Sequence, residues 1–130
     1  MEQVAACFGK PLLGQVEEGA FWAALPALRS RCGDRAVLRA IHYFEENART
    51  LAQRDALYAK RFPVFAGLVK QSGQASFALC QNGYCTADVR HQGLSVALAL
   101  SQSILEGTEG AWRMQGGGFA GTIQAFVPQR

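Results

Sequence analysis

The hydrophobic period of this chain changes near residue 110, and that change limits the folds open to it. Upstream, one face recurs every three or four residues in three separate segments. These are Val37, Ala40, Ile41, Phe44, Ala48 and Leu51; then Phe65, Leu68, Val69, Ser72, Ser76 and Leu79; then Leu94, Ala97, Leu98, Ser101, Ile104 and Leu105. That spacing stacks side chains along one side of a helix. Downstream, "GAWRM" and "TIQAFV" alternate as strands do, with glycines between them. Helices first and a glycine-linked antiparallel pair last predict an α+β fold, helix-rich with a small sheet.

Punctuation residues set the expected boundaries. Asp34, after Gly33, suits the N-cap of the long helix, because a short carboxylate accepts from unpaired amides at the positive end of the dipole. Pro63 suits the first turn of the second helix, and Gly107 stops the third. Gly67 and Gly73 weaken the second helix by roughly 1 kcal/mol each relative to alanine, so they either admit a close neighbour or bend the helix. The run "CQNGYCTADVRHQG" is rich in turn formers and reads as a loop. Residues 1–33 read as short helical pieces interrupted by "GKPLLG", Gly19, Pro26 and Gly33, with Phe21, Trp22, Leu25 and Leu28 on one face. The organisation expected is a single domain with irregular short helices over 1–33, three main helices over 34–106 and the strand pair over 110–128.

Composition narrows the function classes. A chain of 130 residues, 49% hydrophobic and 18% charged, is large enough and apolar enough to bury its own core. The net charge of +3 is spread among acids and around helices, with no dense basic stripe and no aromatic stacking platform, which argues against nucleic acid. Cys7, Cys32, Cys80 and Cys85 contain no C-x-x-C pair, so neither a zinc site nor a disulfide framework is expected, and reduced thiols packing as small hydrophobes fit best. No apolar run approaches the roughly 18 residues of a membrane span, and "MEQVAACFGK" lacks the basic-then-apolar layout of a leader, so a cytoplasmic location is expected.

The glycine cluster "GGGFAG" satisfies G-x-G-x-x-G at Gly116, Gly118 and Gly121. A dinucleotide site needs a helix after the glycines to present amides and dipole to the pyrophosphate. Here Thr122 to Val127 alternates as a strand, so the match is accidental, and no Gly-Lys-Ser/Thr follows to make a phosphate loop. Two readings stay open. Glycines without Cβ atoms let their amides face a ligand or another loop directly, or they only turn the chain in a hairpin or bulge.

The wider stretch "GAWRMQGGGFAGTIQAFVP" resembles the third motif of the kinase family that includes galactokinase, homoserine kinase, mevalonate kinase and phosphomevalonate kinase, and is most similar to galactokinase. There an Arg-Met-Thr-type strand leads into Gly-Gly-Gly-Phe-Gly-Gly and a strand ending in Val-Pro. "RAIHYFEENART", with His42, Glu46 and Arg49, and "FAGLVKQSGQAS" resemble two helices of the same proteins, so the likeness runs from about residue 34 to 128. The chain departs from the pattern at Gly73, where the family has His, at Gln115 for Thr, at Ala120 for Gly, and around Arg90-His91-Gln92, which lacks a Pro-Glu-Leu-Asp-type sequence. These departures leave the sugar open.

The resemblance implies an ATP-dependent sugar kinase, a phosphotransferase of carbohydrate and galactose metabolism using ATP and Mg2+. Neither the family's sugar-binding first motif nor its nucleotide-wrapping second motif matches any segment here. The implied part is therefore a C-terminal domain, ferredoxin-like in the family and stopping short of its last helix and strand, inactive alone and partnered by an N-terminal half that holds nucleotide and sugar. In that role Gly116, Gly117, Gly118, Phe119 and Gly121 support the phosphate loop and no residue here is catalytic, since phosphoryl transfer rests on positioning and charge stabilisation. The rival is a non-catalytic sugar- or effector-binding or interaction domain with a kinase-derived fold. Open sheet edges in such a part lead to self-association, which light scattering at high concentration would detect.

Among single residues, Arg113 either reaches a phosphate as a charge-assisted donor or pairs with an acid on the solvent face. Gln115 either contacts substrate or caps the strand. His42 reads as a hydrogen-bonded helix residue, His91 as an exposed loop residue, and Glu45, Glu46 and Arg49 as ion-pairing positions along a helix. Trp22, Trp112 and Met114 read as packing residues, whereas Phe119, set among glycines, suits the gap between two lobes.

Overall fold

The computed structural model describes residues 1–119 and 121–129. Ala120, one of the departures from the family's glycine pattern, and Arg130 lie outside the described residues. The described chain is helix-rich with a small two-stranded antiparallel sheet, an α+β fold, and forms two compact units, Met1–Asn47 and Ala48–Arg130. No helix of the described residues is long and apolar enough to cross a membrane.

The first unit opens with α1 (Glu2–Ala6), a 3-10 turn (Leu13–Gln15), α2 (Glu18–Ala23) and α3 (Leu25–Cys32), and takes the first part of α4 (Asp34–Tyr58). Val4, Ala5, Leu13, Val16, Phe21, Leu28, Val37, Ala40 and Phe44 form its core. Phe21 is fully buried, with its ring 4.9 Å from that of Phe44. Trp22, next in sequence, is 39% exposed and donates from its indole Nε1 to Glu18.

Two carboxylates organise the helix starts in this unit. Glu17 caps α2, accepting from the amides of Gly19 and Ala20 at 2.8 and 2.7 Å, and these bonds hold its pKa below the usual carboxylate range. Asp34 is the first helical residue of α4, and both of its oxygens are engaged by the Arg29 guanidinium, at 2.7 and 3.2 Å. The Arg29 hydrogen bond and then its charge lower the Asp34 pKa. Lowered folded pKa values mean that both carboxylates stabilise the fold above the unfolded value of about 4, and that this contribution is lost as pH falls through the folded values. Circular dichroism should therefore show helicity flat through the neutral range and falling only below the ordinary carboxylate pKa. A Glu17→Gln variant should respond less to acid.

The second unit holds the rest of α4, then α5 (Phe62–Ala75), α6 (Gly93–Leu105), β1 (Ala111–Gln115) and β2 (Thr122–Phe126). Pro63 sits in the first turn of α5, where its missing N–H costs nothing. The strands pair antiparallel, with Ala111 opposite Phe126, Arg113 opposite Gln124 and Gln115 opposite Thr122. Ala56, Phe65, Ala66, Val69 and Ala111 form the core, and Phe126 packs edge-on against Phe65 at 5.2 Å.

Gly73 shows what the second helix gains from a glycine. A Cβ there would lie 3.0 Å from the Arg113 Cβ and 3.1 Å from its Cα, so the bare backbone lets α5 lie against β1. Gly67, by contrast, faces open space.

Three residues expected in buried stripes are exposed. Ala48 and Leu51 lie on α4 beyond Phe44, the last α4 member of the first core, and before Ala56 of the second. Ile104 is 71% exposed and shares an outer stripe of α6 with Val96 and Leu100. Helix α6 is apolar on both sides, so its period could not say which side is buried. The structure buries Leu94 and Leu105.

Candidate functional site

The bend between β1 and β2 is built on left-handed backbone. Gly116 and Gly118 have φ of 70° and 78°, and Phe119 has 59°. Glycine adopts this region freely, while a side chain there is strained. The Gly121 amide donates to the Gly118 carbonyl at 3.0 Å and closes the turn.

Asn82 anchors the bend from the loop after α5. Its side-chain Nδ2 donates to the Gly117 carbonyl at 3.1 Å, and its backbone carbonyl accepts from the Phe119 amide. A Cβ on Gly118 would overlap the Asn82 carbonyl oxygen and lie 2.8 Å from its Cβ and Cγ. Asn82 is itself buried, with Ser76 Oγ donating to its Oδ1 at 3.3 Å.

Local structure sets Asn82 in place. A π-type turn over Ser76–Cys80 ends α5, and Gln81 reverses the chain with φ of 52°. Gly83 lies under the Phe77 ring, where any Cβ would overlap it, and Ser95 on α6 donates to the Gly83 carbonyl at 2.7 Å. Gln92 braces the rest of the loop, accepting from the Cys85 amide at 3.0 Å and donating to the Cys85 and Asp88 carbonyls at 2.6 Å.

The five residues grouped by the resemblance therefore occupy different environments. Gly116 and Gly117 are exposed, with nothing within 4 Å of where a Cβ would stand. Gly118 is turned inward onto Asn82. Gly121 is exposed, yet a Cβ there would come within 3.1 Å of the Gly118 carbonyl oxygen. Phe119 is 48% exposed and presents its ring at the surface. No residue from Gln115 to Thr122 carries a charge, so the outer side of the bend offers main-chain groups and the Phe119 ring.

Arg113 and Gln115 diverge. Gln115 is exposed at the end of β1. Arg113 is half-buried and donates from Nη1 to Ser72 Oγ at 2.7 Å and from Nε to the Met114 carbonyl at 3.0 Å. Ser72 is fully buried on α5. Met114, one strand position on, is fully buried too. His91 is in the loop, 82% exposed at its side chain, with Nδ1 2.7 Å from Asp88 Oδ2.

A second feature of this unit is a cleft of about 530 Å³ between α5, α6 and β1. Lys70, Gln74, Leu98, Gln102, Trp112 and Arg113 are among its lining residues, and the Lys70 ammonium stands 5.3 Å from the centre of the Trp112 ring. The lining also includes the Glu106 carboxylate, so an aromatic face, two cations, one anion and several amides together suit a small amphipathic ligand.

Sequence reasoning missed both Asn82 and this cleft. A signal for the first was present, since Ser72 on α5 and Ser76 at the start of the turn that follows continue one helical stripe, and buried hydroxyls need partners. Their partners, Arg113 and Asn82, are the residues that tie β1 and the bend to the helix. No comparable pattern marks the cleft, whose lining is drawn from three elements.

No protein-family model matches this chain.

Proposed function

We propose that the chain is the C-terminal domain of a galactokinase-like, ATP-dependent sugar kinase, and that its β1–β2 bend supports the phosphate loop contributed by an N-terminal half. The observation that carries this reading is the surface bend with the Gly-Gly-Gly-Phe motif. Gly116 and Gly117 leave its outer side bare for another backbone to approach, while Asn82 holds the inner side rigid. Rigid support matters because small displacements of a phosphate-positioning loop cost rate steeply. ATP and Mg2+ are then held by the N-terminal half, the sugar hydroxyl receives the γ-phosphoryl group there, and this domain alone is inactive.

Phe119→Gly tests the role of the bend within the full kinase. The substitution removes a left-handed side chain strained by about 1 kcal/mol, so stability should hold or rise. Sugar-dependent ATP consumption should nevertheless fall about tenfold, because the ring no longer fills the space between lobes. Unchanged turnover in a folded variant would remove Phe119 from the site, and sugar phosphorylation by the isolated chain would overturn the assignment of the chemistry to the other half.

The cleft between α5, α6 and β1 favours a second reading, a sugar- or effector-binding domain without phosphoryl transfer. Calorimetric binding of galactose or galactose 1-phosphate, weakened by Lys70→Met and unaccompanied by ATP consumption in the full protein, would select it over the kinase.

A further inference from the structure

The first unit holds a feature independent of the bend. Cys7 and Cys32 are 25 positions apart in sequence, yet their Sγ atoms stand 3.4 Å apart. Cys7 caps the C-terminal end of α1, and Cys32 is the last residue of α3, just before Gly33 turns the chain with φ of 79°. Both are half-buried, so a small oxidant can reach them. The Gln3 carbonyl lies 3.4 Å from the Cys7 sulfur and 3.6 Å from that of Cys32, and it accepts from both thiols. It thereby holds the reduced pair side by side.

We propose that Cys7 and Cys32 are a site of reversible oxidation, closing to a disulfide that staples α1 to α3. The arrangement differs from that of a nucleophilic cysteine. Both thiols sit at helix C-terminal ends, where the dipole disfavours a thiolate, and burial followed by the Cys7 hydrogen bond raises the Cys32 pKa. What equips them is proximity, since a second thiol stands ready to resolve whatever forms on the first.

With hydrogen peroxide as oxidant the step balances. One sulfur attacks the peroxide oxygen and becomes a sulfenic acid, releasing water. The second sulfur then attacks that sulfenic sulfur, forming the S–S bond and releasing a second water. The two thiols lose two electrons and two protons, and the peroxide is reduced. Oxidised glutathione reaches the same product by exchange, leaving two molecules of the reduced tripeptide.

The closed loop would run from Cys7 to Cys32, a little over half of the first unit, and it would tie together two helices that carry core residues, Val4 and Ala5 on α1 and Leu28 on α3. Oxidation should therefore restrict opening of this unit and lower its proteolysis in the native state on the order of 100-fold.

The test is non-reducing peptide mapping of the full chain after treatment with hydrogen peroxide or a glutathione buffer. The expected product is a single Cys7–Cys32 cross-link, reversed by dithiothreitol and accompanied by slower proteolysis within Met1–Asn47. Cys32→Ser should leave Cys7 as a sulfenic acid or a glutathione adduct, while a Cys80→Ser, Cys85→Ser double variant should cross-link as before. Separate over-oxidation of Cys7 and Cys32 without a cross-link, or preferential pairing of either with Cys80 or Cys85, would overturn the proposal. Serine at Cys32 is nearly isosteric, and the double variant leaves the pair intact, so the result does not hinge on one variant folding.

Discussion

Replacing Gly118 with alanine should destabilise the second unit by about 2–5 kcal/mol. Two terms add. A side chain held at φ of 78° is strained by about 1–2 kcal/mol. The new methyl also overlaps the Asn82 carbonyl oxygen, a main-chain atom unable to rotate away, and overpacking of that kind costs about 1–3 kcal/mol. Gly116→Ala is the matched control, because Gly116 has the same left-handed backbone but faces open space. It should lose only the backbone term. Urea denaturation of the two variants separates these contributions, and equal losses would mean that Asn82 does not brace the bend.

The second large effect belongs to the first unit. Phe21→Ala removes a fully buried ring packed against Phe44 and should cost about 3–5 kcal/mol. Hydrogen exchange should report the loss as faster exchange among Met1–Asn47. Phe21→Leu, which refills much of the volume, should lose markedly less. Similar protection in Phe21→Ala and the parent chain would show that this core is not what holds the unit together.

Gly118→Ala and Phe119→Gly also bear on function differently. Gly118 belongs to the bend on which the kinase reading rests, so under that proposal its variant should impair both stability and sugar-dependent ATP consumption. Phe119→Gly separates the two, since it relaxes the backbone while removing the surface ring. Activity lost in a Phe119→Gly variant whose urea midpoint matches that of the parent chain is then loss of the ring and not of the fold.

The kinds and order of the main elements follow from local pattern along the chain. Periods of 3.6 and 2 are local properties of a chain, so the helices now seen over Asp34–Tyr58, Phe62–Ala75 and Gly93–Leu105, and the strands on either side of the glycines, were legible before any contact was known. That pattern also located the bend, because consecutive glycines flanked by alternating residues leave few other conformations. Gly73 was recognisable as either a kink or a close approach. Only the position of Arg113 against α5 decided for the approach.

Tertiary structure decided the rest, because burial and partnership depend on what another segment covers. Ile104 and Leu51 share faces with apolar neighbours, yet remain exposed. Asn82 read as a turn former and became a buried anchor once the end of α5 brought it beneath Gly118. Cys7 and Cys32, separated by about half of the first unit, became neighbours when α1 and α3 entered one core. Spacing along the chain encodes the face of an element, but the meeting of two faces is a property of the folded molecule alone.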